Sequence, residues 1–282
     1  MSKQWNSASQ AGSAFEVMVF PGAHNLPLWW MEANLFSDNL IKIIPTTSRD
    51  EQIASLSDGR VDFIFTAPDN LLSPDAREFC PLVVGSIGQL SLVATPQVSS
   101  LRRLAVDNPR SGYAGLAYEG MTKVGYLDKD YDIYPVGGTL QRYRAMANGD
   151  ATLGLLHSPF TELAERAGWS VVHIVEETYP SLVVACRQTD LGTDRVVQFV
   201  NAYKLALHAL SNNPPLTHLR NLFASHLKDL EEDIRELILQ KTLASYQELR
   251  PDVADDLLQN LQLRREQTRW PICAVVNKGP GE

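Results

Sequence analysis

Cysteine is scarce. The 282 residues hold three, at positions 80, 186 and 273, too few and too far apart for a metal knuckle or a disulfide framework. Apolar runs are short, and none approaches the roughly 20 residues that cross a membrane. The segment from Met1 to Phe15 lacks the apolar core of roughly 7–15 residues that marks a secretory leader. With its first cysteine at position 80, the chain also has no N-terminal cysteine to carry a lipid anchor. Such a chain is expected in the cytoplasm as it stands, and in the periplasm or outside the cell if a leader has been removed. Positive charge is in deficit, with 25 Lys and Arg against 33 Asp and Glu and a formal charge of −8. Without a basic field to track phosphates, nucleic acid is not an expected partner. The sequence has no H-E-x-x-H, no G-x-S-x-G and no P-loop, so the metalloprotease, hydrolase-elbow and NTPase readings have no support. No metal and no cofactor is expected.

What is present has the composition of a packed globular protein, 44% apolar and 21% charged. Its length allows one large domain or two medium lobes. From Phe15 onward, strand-like and helix-like phrases alternate, the pattern of an α/β sheet with parallel strands. Glu16 to Phe20 reads as a strand closed by Pro21-Gly22, Leu26 to Asn34 as a short helix, and Leu40 to Ile44 as the next strand. Ser48 and Glu51 have the spacing of a capping box, which opens a helix that ends at Gly59. Val61 to Phe65 then returns as a buried strand.

A second unit follows. It has strands at Leu104 to Asp107, Ile133 to Val136, Leu153 to Leu156 and Val171 to Val175. Helices are expected after Ser111-Gly112, from Leu140 to Asn148, and after Ser158-Pro159, with the serine as cap and the proline at the first helical position. The units share a phrase: a helix, then Asp58-Gly59 or Asn148-Gly149, a strand, and Pro68 or Pro159. This weak internal repeat suggests two similar lobes. Leu90 to Thr95 and Ser181 to Cys186 flank the second unit and read as the two crossings of a hinge. Beyond Thr193 the apolar spacing turns helical. Asn213-Pro214-Pro215 separates one helix from a second that carries Leu227 through Ile238, and Pro251 starts a third. The expected organisation is a flexible N-terminus at 1–14, one lobe from 15–90 and 183–270, another from 91–182, and a tail at 271–282.

Three stretches resemble the type II solute-binding proteins of ABC transporters: Pro21 to Trp30, Glu32 to Phe36, and Asp58 to Asp62. So do Thr66 to Asn70, Val136 to Arg142 and Leu155 to Pro159. The nearest branch looks like the one whose members bind sulfonates, nitrate and the pyrimidine precursor of thiamine. The resemblance runs from about Val17 to Trp169. It implies an α/β fold of two doubly wound lobes joined by a two-crossing hinge, with a C-terminal helical segment. It also implies a small-molecule ligand and, for an exported protein, a transporter permease as partner.

In open α/β sheets ligands sit against strand carboxyl ends and helix amino ends. That rule selects Ala23, His24 and Asn25 after the first strand, Thr46 and Ser48 after the second, and Thr66, Asp69 and Asn70 after the third. From the second lobe it selects Arg110, Ser111, Gly112, Gly138, Thr139, Arg142, His157 and Ser158. Ser48, Thr139 and Ser158 also read as helix caps, and Arg142 reads equally as a surface residue. Trp29, Trp30 and Tyr113 are candidates to stack on a flat ring, although the two tryptophans read first as helix core.

Three readings of function are open. One is a binder of a small polar or anionic organic molecule, with or without a ring. Another is a cofactor-independent lyase, decarboxylase, isomerase or cyclase with His24 and His157 as acid and base and Asp69 as their orienting group. The known enzyme branches of this fold fit poorly, because no cysteine falls in a cleft loop and Lys42, the earliest lysine after Lys3, lies within a strand. A ligand-sensing domain that signals through its C-terminal helices is a third reading.

Overall fold

The computed structural model describes residues 13–36, 40–99, 102–109, 111–157, 159–212 and 214–267. The first unit comprises β1 (Phe15–Val19), α1 (Leu26–Asn34), β2 (Ile41–Pro45), α2 (Arg49–Ser57) and β3 (Phe63–Thr66). A long strand, β4 (Phe79–Ala94), carries the chain into a second unit of the same order. That unit is β5 (Arg103–Val106), α3 (Gly112–Lys123), β6 (Asp132–Pro135), α4 (Thr139–Ala147) and β7 (Leu153–His157). Then come α5 (Phe160–Arg166), a second long strand β8 (Ser170–Arg187), and helices α6 (Asp194–Ser211), α7 (Leu216–His226), α8 (Glu232–Glu248) and α9 (Pro251–Gln267).

The strand order is β2-β1-β3-β8-β4-β7-β5-β6. In each unit the first strand lies between its two parallel partners. The third strand of each unit then pairs antiparallel with the far end of a long strand arriving from the other unit. Ile64 of β3 meets Ala185 of β8, and His157 of β7 meets Leu90 of β4. The long strands pair with each other as well, and their register breaks repeatedly between Val84 and Leu90, where they pass between the halves. The result is an α/β protein of two lobes joined by two crossings, with a C-terminal helical segment.

Local chemistry sets the element ends. The Ser48 hydroxyl accepts the Glu51 amide at 3.2 Å and caps α2. The reciprocal half of the expected capping box is absent. The Glu51 carboxylate instead takes the Thr46 hydroxyl, whose oxygen accepts the Ser48 amide at 3.0 Å. Gly59 and Gly149 follow α2 and α4 at φ +72° and +80°, so the repeated phrase marks equivalent helix exits that need a residue without Cβ. Pro159 is the N-cap of α5 rather than its first helical residue.

The crossings are longer than the sequence suggests. Leu90 to Ala94 forms the end of a 16-residue strand, with Thr95 just beyond it, and the expected separate strand at Val171 to Val175 is the beginning of β8. The apolar spacing from Leu227 to Ile238 belongs to two elements, because Leu227 and Leu230 lie between α7 and α8. Glu231 holds the N-cap position of α8 without a side-chain bond, and Glu232 and Asp233 occupy its first turn, where carboxylates oppose the helix dipole favourably.

The C-terminal helices complete the first lobe. Helix α6 packs Phe199 and Tyr203 against one sheet face with Phe63 and Phe65, while α9 brings Leu258 and Leu261 to the other face beside Ile64 and Val183. Among the described residues, no helix is long and apolar enough to cross a membrane.

Candidate functional site

The carboxyl ends of β1, β3, β5, β6 and β7 meet at the boundary between the lobes. There they line a cavity that opens to solvent. Phe20, Pro21 and His24 come from beyond β1, Thr66, Ala67 and Asn70 from the end of β3 and just past it, and Asp107 from beyond β5. Gly138, Thr139, Leu140 and Arg142 come from the start of α4. His157 ends β7, Phe160 starts α5, and Ser181 and Leu182 lie on the crossing strand. Five aromatic rings, those of Phe20, His24, Tyr113, His157 and Phe160, belong to the wall. His157 lies 6.5 Å from Tyr113 and 6.3 Å from Phe160, centroid to centroid.

His24 sits in a 3-10 turn, Ala23–Asn25, and its Nε2 is 3.0 Å from the Phe20 carbonyl. A carbonyl only accepts, so Nε2 carries the proton and Nδ1 is left as an acceptor. Desolvation pulls the pKa of this half-buried imidazole down to about 4, against a smaller upward pull from the Phe20 carbonyl. His24 is therefore neutral near pH 7. Its ring fills the space beside Gly22, where an added Cβ would come within 2.8 Å of Nδ1.

Arg142 is a buried strut rather than a surface residue. Its Nε donates to the Leu155 carbonyl at 3.0 Å, Nη1 to the Gly137 carbonyl at 3.1 Å and Nη2 to the Thr139 hydroxyl at 2.8 Å. The guanidinium lies 5.0 Å from the Tyr113 ring centre, within reach of the π face. Thr139 is thus the first residue of α4 and an acceptor for Arg142, while Gly138 holds the cap position without a side-chain bond. The Tyr113 ring, packed edge-on against Tyr179, is almost fully buried, and desolvation raises its phenol pKa.

The remaining residues selected from the sequence divide clearly. Ala23 borders an adjoining chamber and Ser48 a groove at the lip. Asn25 is buried and donates to the Phe20 carbonyl at 2.8 Å, so it shapes the turn. Thr46 is tied to the start of α2, and Ser111 caps α3 by accepting the Ala114 amide at 3.0 Å while donating to Asp107. Asp69 is buried and accepts the Tyr179 hydroxyl. Gly112 abuts Asp69 so closely that a Cβ would lie 2.2 Å from the Asp69 Cβ. Arg110 and Ser158 lie outside the described residues. Trp29 stacks on His226 at 4.3 Å and, with Trp30, packs against the C-terminal helices away from the cleft.

Phe20, Asp107, Leu140 and Phe160 were not selected from the sequence, although each lies beside a strand end or helix start that was. The contribution of α8, described below, had no local sequence signal.

At the lip the lobes touch. Asn108 donates to Asp50 at 3.4 Å, and the Gly137 backbone, at φ +97°, lies close to the Thr47 carbonyl. Nearby, Arg49 joins Asp75, whose carboxyl is held down to about 2 chiefly by that hydrogen bond. Among the described residues, no three His, Cys, Asp or Glu side chains cluster as a metal site.

No family model and no curated protein matches the sequence. Solved structures match over nearly the whole chain. One is a ligand-binding component of an ABC-type import system from Staphylococcus aureus with zinc bound, at 12% identity, covering 93% of this chain and 94% of that one, with a TM-score of 0.64. Another is the alkanesulfonate-binding protein SsuA from Xanthomonas axonopodis pv. citri bound to MOPS, at 15% identity, 95% and 98% coverage, and a TM-score of 0.63. A third is the periplasmic nitrate-binding protein NrtA from Synechocystis PCC 6803, at 9% identity, 79% and 69% coverage, and a TM-score of 0.60. At these identities what is shared is the fold. The chain has the periplasmic-binding-protein fold.

Proposed function

We propose that this protein is a solute-binding protein that captures a small, ring-bearing polar or anionic organic molecule in the cleft between its lobes. The observation that carries this reading is the cavity itself. It lies where strand carboxyl ends from both lobes converge, walled by Phe20, Tyr113, Phe160 and two histidines. Flat rings suit such walls, because aromatic contacts bring large apolar area at fixed geometry. The start of α4 at Gly138-Thr139 offers backbone amides for a polar or negative group. His24, neutral near pH 7 with its one N–H committed to the Phe20 carbonyl, presents only an acceptor to the cleft, which disfavours it as a general acid. The partner implied by this reading is the permease of an ABC importer, and the implied location is outside the cytoplasmic membrane.

The test is a thermal-shift and calorimetric panel of alkanesulfonates, nitrate, aromatic carboxylates and aminopyrimidines, read with small-angle scattering. A true ligand binds one to one and compacts the protein. At a hundredfold excess over Kd it adds about 2.7 kcal/mol of stability. Chemical turnover of a bound member, or no binding by any class, overturns the reading.

A further inference from the structure

The cavity beneath Tyr113 continues past the two histidines. A second, smaller chamber shares His24, Leu140, His157, Phe160 and Ser181 with the first. Neither α/β unit makes its far wall. Helix α8 does, through Ile238, Lys241, Thr242 and Ser245. Leu227, Leu230 and Ile87 make much of the rest apolar. The helix is held in place against α5 of the other lobe. Asp233 meets Arg166 and Lys241 meets Glu162, each at 3.5 Å, and Leu163 is buried in one cluster with Ile238 and Leu239.

Lys241 is the cation among the residues lining this chamber. Its contact with Glu162 is longer than the roughly 2.7–2.9 Å of a strong charged hydrogen bond. An ammonium has three donors, so a second anion can be accommodated beside Glu162. The chamber is thus an apolar passage that leads from the aromatic cleft to a partly exposed positive charge.

We propose that this chamber takes an aliphatic arm of the ligand, with an anionic end group seated on Lys241 while the ring occupies the first chamber. The proposal rests on the reading of the cleft as a ligand site and deepens it. The ligand is then a ring joined through several methylenes to an anion, and Lys241 selects for that anion.

The experiment uses the full chain, titrated calorimetrically with phenylacetate, 3-phenylpropanoate, 4-phenylbutanoate and 6-phenylhexanoate and with the alcohol corresponding to each acid. Affinity is expected to rise with arm length for both series, and the longer acids should exceed their alcohols by about tenfold, the scale of one charge-assisted hydrogen bond. Lys241→Met should bring each long acid to the level of its alcohol and leave the alcohols unchanged. Glu162→Gln, which keeps the lysine and removes its protein partner, should tighten the acids. Equal binding of acids and alcohols at every length, or a Lys241→Met protein that retains the acid preference, overturns the proposal and leaves the cleft reading standing. Failure of every phenyl probe also overturns it, and the solute panel then decides the cleft reading separately.

Discussion

His24 shows how far a single environment moves a residue's chemistry. Its folded pKa of about 4 lies below the ordinary value of 6.5, so the unfolded chain binds the extra proton first as pH falls. The stability it permits is fully present above pH 6.5, declines as pH drops from 6.5 toward 4, and changes no further below that. The loss at the acid end is on the order of 3 kcal/mol. Urea unfolding at pH 7.5 and pH 4.5 should therefore show a smaller difference for His24→Gln than for the wild type. Equal differences would mean that the imidazole is not desolvated. From sequence, His24 was legible as a cleft residue because it follows a strand. Its neutral state was not, because that depends on the Phe20 carbonyl and on burial by elements distant in the chain. Arg142 makes the same point in reverse. Helical position alone put it in the first turn of α4, and only the fold supplies the Leu155 and Gly137 carbonyls that hold it inside.

Among the elements, helix starts were the most legible, since a hydroxyl before an apolar run acts locally. Ser48 and Ser111 both accept the amide three residues on. Replacing Ser111 with Ala should lower stability by about 1 kcal/mol, read as a shift in urea midpoint with unchanged slope. The effect should be larger than at Ser48, because Asp107 also loses its donor. Strand extents were less legible. The outer part of β8, from Ser170 to Glu176, alternates exposed and half-buried residues. Such a pattern reads as a short separate strand until its pairing with β4 is known. Helix α8 was legible only as something that packs. Periodicity identifies an apolar face without naming what lies opposite, and here α5, β4 and the cleft all do.

For the whole molecule, the proposed capture of a ligand between the lobes requires them to open, and Gly112 tests it. An alanine Cβ there would lie 2.2 Å from Asp69 across the boundary between the lobes. Opening the lobes relieves that clash at the cost of contacts across the boundary, among them Leu163 against Ile238 and Leu239. Gly112→Ala is expected to enlarge the radius of gyration measured by small-angle scattering and to weaken ligand binding tenfold or more. Its melting temperature should fall by less than it would if the clash were absorbed within a fixed interface. An unchanged radius with a large drop in melting temperature would mean that this contact belongs to a permanently docked interface.

The exchange of long strands between lobes also governs how the chain can be made. While a ribosome is still producing the second unit, β3 has no neighbour on its outer side, because its partner is the last stretch of β8. An unpaired strand edge of this kind invites adventitious pairing with other chains. The first lobe, begun at Phe15, cannot close its sheet until Ala185 has emerged, and α6 and α9, which cover its two faces, follow later still. Synthesis therefore leaves the first-made half waiting on the last-made residues, and stalled or truncated translation products of this protein should be aggregation-prone.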